Sequence, residues 1–174
     1  MNAKRIMRMR EGGHVQRCHC MPHHGTYDVA QHTFHMLILM EELHPNPSRE
    51  LYSLILRHDL MERWTGDSPA TAKRWMPGLK IALTGAEEEL EKRTGIEAYL
   101  GDHVTESDRR WLKALDQVEF ILWCEDQIAL GNLNVLWNRA EMDRWIERDA
   151  DSIPAPVLEF LESFEWKRTP DDLS

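Results

Sequence analysis

Residues 51–75 read LYSLILRHDLMERWTGDSPATAKRW, and the fold turns on how this stretch is read. Leu51, Leu54, Ile55 and Leu56 form an apolar helical run that ends in adjacent His58 and Asp59. Glu62 comes one turn later, Gly66 interrupts, and Asp67 leads into Ser68-Pro69. A serine followed by proline has the form of an N-cap and a first helical position. The expectation is one helix from Ser48 to about residue 64 and a short one over 69–76. On a regular helix His58 and Asp59 point roughly 100° apart. Both reach one ion only if it lies between their directions, near the helix end.

Working outward, nearly every segment reads as helix. Residues 3–10 are short and basic, with Ile6, Met7 and Met9 as anchors, and Gly12-Gly13 stops them. Residues 14–28 lack periodicity and read as a loop crossing near the site. In 29–43, Val29, Thr33, Met36, Met40 and Leu43 recur at helical spacing, with His32 beside that stripe. Residues 78–94 read as a charged helix with Ile81, Leu83 and Leu90 inward and Glu87-Glu88-Glu89 solvated. Residues 95–102 are weaker, and Thr105 with Asp108 resembles a capping box opening a helix to about 130. Two helices follow, over 132–149 and 156–166, and then a polar tail. No repeat or convincing strand interrupts them, so the expected fold class is all-α, a bundle of seven to eight helices.

Composition bounds the function. A chain of 174 residues predicts a single domain over 1–174. The 21 Lys and Arg against 30 Asp and Glu give a net charge of −9, which argues against a nucleic-acid partner. The one basic cluster is Lys4, Arg5, Arg8, Arg10 and Arg17, suited to a phosphorylated ligand, a partner subunit or plain solvent. Three cysteines make no disulfide framework. No signal-peptide core follows the basic start, and the longest apolar run, 36–40, is too short to span a membrane. These features lead to the expectation of a cytoplasmic protein with no membrane partner.

A divalent ion on nitrogen and oxygen ligands needs imidazoles and carboxylates from several elements. His58 and Asp59 offer one of each, and His32 a second imidazole. Asp116 lies in WLKALDQVEFILW, where a carboxylate is costly unless paired or bound to a cation. Two histidines and two aspartates leave positions for water or a substrate oxygen. Blander readings stand beside each. Asp116 also suits a salt bridge to an arginine of the 14–28 loop, Glu62 a pair with Arg57 or Arg63, and Lys73 with Arg74 a solvated face. The Cys18-His19-Cys20 and His23-His24 cluster suggests structural zinc, but its spacing fits no standard finger. His35 reads as packing or support for His32, and Trp64 and Trp75 read as packing.

The order His32, His58-Asp59, Asp116 resembles the H…HD…D signature of the HD-domain metal-dependent phosphohydrolases. Val29-Ala30-Gln31-His32, His58-Asp59-Leu60-Met61-Glu62 and Thr65-Gly66-Asp67-Ser68-Pro69 are similar to the VxEH and HDxxE…TGDxP blocks of bacterial 5′-deoxynucleotidases. Cys124-Glu125 through Gly131-Asn132 resembles the region after their last metal-binding Asp. Arg17-Cys18-His19 with Pro22, and the short length, look most like the phage dATP triphosphohydrolases of the same group. The resemblance implies an HD-type helical bundle with His32, His58, Asp59 and Asp116 as metal ligands. It implies Glu62 and Asp67 as catalytic carboxylates, and Arg17 and Lys73 as phosphate contacts. Cys18 stands where an aromatic residue often packs on the nucleoside, and Gln31 where the family often has Glu. His19 is read as lining the nucleotide pocket. The implied cofactor is a divalent metal ion: Co, Mn, Zn, Ni, Fe or Mg. The implied partners are a small-molecule deoxynucleotide and further copies of the chain, from dimer to hexamer, in the host cytoplasm if the chain is phage-encoded. The implied reaction is hydrolysis of dATP to deoxyadenosine and triphosphate. A 5′-deoxynucleotidase acting on monophosphates is the alternative, and a non-catalytic nucleotide-binding module the second.

Overall fold

The computed structural model describes residues 3–95 and 103–163. Three of its helices begin where short polar side chains hold free backbone N–H groups. Asp28 Oδ1 accepts from the Gln31 N–H at 2.8 Å and opens α2 (Val29–Leu43). Ser48 accepts from the Leu51 N–H at 2.9 Å and opens α3 (Arg49–Ile55). Thr105 and Asp108 cap each other's N–H groups and open α7 (Glu106–Ala129). At 24 residues, α7 is about 36 Å long and forms the axis of the fold. Before α2 comes α1 (Ala3–Gly12); after α7, α8 (Leu136–Asp149) and α9 (Ala155–Ser163) fold back, joined by 3-10 turns.

The main core lies where α2, α3, α8 and α9 meet α7. Met36 and Met40 of α2, Leu51 and Ile55 of α3, and Leu115, Val118 and Ile121 of α7 have no accessible surface. Val157 and Leu161 of α9 close the far side. Each such side chain contributes roughly 1.5–3 kcal/mol by leaving water. Among the described residues no helix is long and apolar enough to cross a membrane.

The helix expected to reach residue 64 ends at Ile55. Beyond it the backbone closes three-residue turns: Arg57 N–H to Leu54, Leu60 to Arg57, Glu62 to Asp59 and Trp64 to Met61, all at 3.0–3.1 Å. A single turn, α4 (Glu62–Thr65), then runs into Gly66, whose φ of 73° only glycine adopts without strain. This split raises the count to nine α-helices among the described residues. α5 (Ala70–Trp75) starts after Pro69 with no side-chain cap, so the expected Ser68 cap is not made.

α6 (Pro77–Thr94) departs furthest from expectation, with no buried residue. Ile81 faces solvent at 73% exposure instead of pointing inward, and Leu83 is half-buried. Leu90 does turn in, packing with Met9 on Leu60 and Met61. Glu87 is half-buried rather than solvated, while Glu88 and Glu89 are exposed. Trp75, expected to pack, is 77% exposed. The expected weak element over 95–102 and the polar tail fall on residues 96–102 and 164–174, outside the described residues.

Candidate metal centre

The loop of residues 13–28 is tied at both ends. Val29 N–H bonds the Val15 carbonyl at 3.0 Å, and Arg17 N–H the Tyr27 carbonyl at 2.8 Å. Its far side is held by the end of α7: Gln127 exchanges two bonds with the His24 backbone, and Asn132 donates to the Pro22 carbonyl. The loop thereby carries Arg17, Cys18 and His19 to the end of α3, where the chain has left the helix.

Four ring and carboxylate groups converge there. His32 is fully buried on α2, and its Nδ1 lies 2.5 Å from Glu119 Oε2. His58 donates from Nδ1 to the Ile55 carbonyl at 2.8 Å, an acceptor the end of α3 leaves available. With both Nδ1 positions engaged, the two Nε2 atoms face each other at 3.3 Å. His58 Nε2 lies 3.2 Å from Asp59 Oδ2, and His32 Nε2 lies 3.2 Å from Asp116 Oδ1 and 3.9 Å from Asp59 Oδ2. Ligand atoms of His32, His58 and Asp59 all fall within 4.8 Å of one another. Asp116 lies outside that set and reaches it only at His32, with Oδ1 3.2 Å from Nε2.

Two imidazole lone pairs do not attract each other, so this contact needs a positive charge. Burial alone lowers the His58 pKa, but the charge and hydrogen bond of Asp59, with Asp116 and the Ile55 carbonyl, outweigh it and lift the imidazole to about 9. His32 is raised too, where hydrogen bonds to Asp116 and Glu119 overcome its burial. Asp59 is held well below the usual carboxylate range against its own burial, first by His58 and then by Arg17. A proton can supply the charge, and so can a divalent cation. Two nitrogens bound at about 2.0–2.1 Å to a tetrahedral zinc stand about 3.3 Å apart. The donor set and its spacing therefore fit a divalent metal.

The remaining sequence candidates line one side. Arg17 pairs with Asp59 and reaches Asp116 Oδ1 at 3.6 Å, so the salt bridge foreseen for Asp116 is also present. Arg17 Nε is buried without a hydrogen-bond partner among the described residues. Glu62 is buried and its Oε2 likewise has no partner. Burial, then the charges of Asp59 and Asp67, raise its carboxyl to about 8. The pair foreseen with Arg63 is not made, since Arg63 binds Glu11. Asp67 Oδ2 accepts the Cys18 N–H at 3.0 Å, with His19 Nδ1 at 3.8 Å. Lys73 is half-buried on α5, and its charge favours ionised Glu62. Cys18 takes φ 54° and packs its side chain on the Tyr27–Trp123–Cys124 cluster. Burial pushes its thiol up to about 12.

Two functional-looking residues escaped the sequence reading: Tyr27 and Glu119. Glu119 is buried on α7, one turn after Asp116, and takes contacts from Tyr27, His32 and His35. Its signal was present, since a carboxylate inside WLKALDQVEFILW is as costly at 119 as at 116. The Cys18, Cys20, His23, His24 cluster forms no metal-like group among the described residues. Instead His23 bonds the Met21 carbonyl at 3.1 Å and sets its ring edge against Trp123.

No family model and no curated protein matches the chain. Among solved structures it is similar to the HD phosphohydrolase DatZ of cyanophage S-2L, bound to dA and one catalytic Zn2+ ion. The two share 22% identity over 90% of this chain and 91% of that one, with a TM-score of 0.63. At that identity the likeness is one of fold, and this chain has the all-α fold of an HD phosphohydrolase.

Proposed function

We propose that this protein is a divalent-metal-dependent phosphohydrolase that cleaves a deoxynucleoside triphosphate, dATP foremost, into deoxynucleoside and triphosphate. The observation that carries the reading is the 3.3 Å approach of His32 Nε2 to His58 Nε2 beside Asp59 and Asp116. In this reading those four residues hold the ion. A divalent cation there supplies Lewis acidity, acidifying water and polarising a phosphoryl oxygen.

The chain's own residues supply the rest. Water adds to the phosphorus next to the 5′-oxygen, and the P–O5′ bond breaks. Glu62, buried beside the site with an unpartnered Oε2, gives a proton to the leaving 5′-oxygen. Asp67, fixed by the Cys18 N–H, orients the water from the side and takes the proton that the water loses as it adds. Arg17, a permanent cation with a spare buried Nε–H, binds a phosphate oxygen, and Lys73 a second. Cys18 does not stack on a base in this reading, because its side chain belongs to the Trp123 cluster. His19, half-exposed beside Asp67, faces the nucleoside. The dA bound by the cyanophage protein supports a deoxynucleoside as the released group. An assembly of several copies belongs to the same reading, supported by exposed Trp75, Met76 and Ile81.

One observation favours a second reading. Arg17 and Lys73 are the cations placed around Glu62, a provision that suits a single phosphate as well as three. A 5′-deoxynucleotidase acting on monophosphates would need no more. The test is a screen of deoxy- and ribonucleotides at each phosphorylation state with Co2+, Mn2+, Zn2+ and Mg2+. Intact triphosphate from dATP is the expected product. Orthophosphate from dAMP alone would transfer the assignment to the nucleotidase. Tight nucleotide binding without any phosphate release would leave a binding module.

A further inference from the structure

We propose that Glu119 is a positioning residue that holds His32 by its Nδ1 and aims its Nε2 at the metal; the inference rests on the metal reading above. Three side chains converge on this one buried carboxylate. Tyr27 donates its hydroxyl to Oε2, and His32 Nδ1 lies 2.5 Å from the same oxygen. His35 Nδ1 lies 3.2 Å from Oε1. An ionised carboxylate only accepts. Glu119 therefore accepts from Nδ1, a hold that turns the opposite ring nitrogen, Nε2, toward His58 and Asp59.

The packing gives this arrangement little freedom. His32 has no accessible surface and Glu119 is 2% exposed. The Tyr27 ring stacks on Trp123 at 4.8 Å, so its hydroxyl is aimed by the core cluster beneath it. Asp116 and Glu119 lie one turn apart on α7, so a single helix places one carboxylate on each nitrogen of the same ring. Asp116 meets Nε2 and Glu119 meets Nδ1. A buried ion pair serving only stability would not need its imidazole turned toward His58.

Glu119→Gln separates the roles, because the amide keeps the shape but can donate to Nδ1 and drive the proton to Nε2. Titrating Co2+ into the full chain and following its visible absorption gives affinity and ligand geometry. The expected result is a Co2+ affinity lowered about 10–100-fold in Glu119→Gln, with an altered spectrum. Wild-type affinity and an unchanged spectrum in Glu119→Gln would overturn the proposal alone. A wild-type chain that binds no Co2+ would overturn the metal reading and this proposal with it. Should Glu119→Gln fail to fold, Tyr27→Phe removes one donor from Glu119 while keeping the ring. A weaker Co2+ affinity there supports the proposal, and an unchanged one overturns it.

Discussion

His32 and Asp116 stand on helices that run unbroken through the core, whereas His58 and Asp59 stand where a helix has given out. α2 and α7 are capped, long and packed on Met36, Leu115 and Val118. Residues 56–94 hold three-residue turns, two short helices and an α6 without a buried residue. On the proposed metal reading the difference is functional. An unbroken helix aims one side chain well but cannot turn two neighbours onto one point. A tight turn can, and it leaves the Ile55 carbonyl open to hold His58 by its Nδ1. The rigid half sets direction and the broken half supplies convergence.

The sharpest way to break that division is to take one proposed ligand from each half. Asp59→Ala and Asp116→Ala should each abolish metal binding and turnover together, beyond the roughly 10–100-fold typical of an outer partner. Calorimetric titration with Co2+ or Zn2+ alongside the product assay measures both. Retention of near-normal binding and turnover in Asp116→Ala alone would move the centre entirely onto His32 and the turn.

A smaller effect lies in pH. Glu62 has its carboxyl raised to about 8 against an ordinary 4.5. Between those values the native state holds a proton that the unfolded chain releases, so stability falls as pH rises through the window. Glu62→Gln removes that dependence. In chelator-treated protein, the variant should gain on the wild type by on the order of 2–4 kcal/mol from about pH 5 to about pH 9 in denaturant melts. His58, raised to about 9, adds a decline of the same sign to both proteins and cancels in the difference. A constant difference across that range would mean that Glu62 ionises freely, and the proton donor would then be another group.

The unbroken half was legible in the sequence because its signals are local. A capping box needs only Thr105 and Asp108, three residues apart, and an apolar stripe needs only its own spacing. The break at Ile55 was not legible. Leu60 and Met61 continue the apolar pattern past it, and no glycine or proline appears before Gly66. What stops the helix is tertiary: Leu60 and Met61 turn away to pack with Met9 and Leu90. The Gly12 backbone sits so close to Leu60 that an added Cβ would lie 2.7 Å from its side chain. Glu119 and Tyr27 were missed for a related reason, since their partnership joins residues 92 apart.

The smallest expected effect tests the other face of the comparison. Ile81 had every local reason to be read as core, lying at helical spacing on an amphiphilic segment, yet it is 73% exposed. Helical spacing shows that a face exists, and only a packing partner makes that face an interior. Ile81→Ser should therefore shift unfolding free energy by no more than about 0.5 kcal/mol. Leu115→Ala in the same melts, on a residue with no accessible surface, should cost about 2–5 kcal/mol. If Ile81→Ser instead costs as much as Leu115→Ala, the α6 face is covered in solution, and a second copy of the chain becomes the first occupant to test by sedimentation. A negligible loss leaves the Ile81 face of α6 open to solvent, while Leu90 on the same helix holds to Leu60 and Met61.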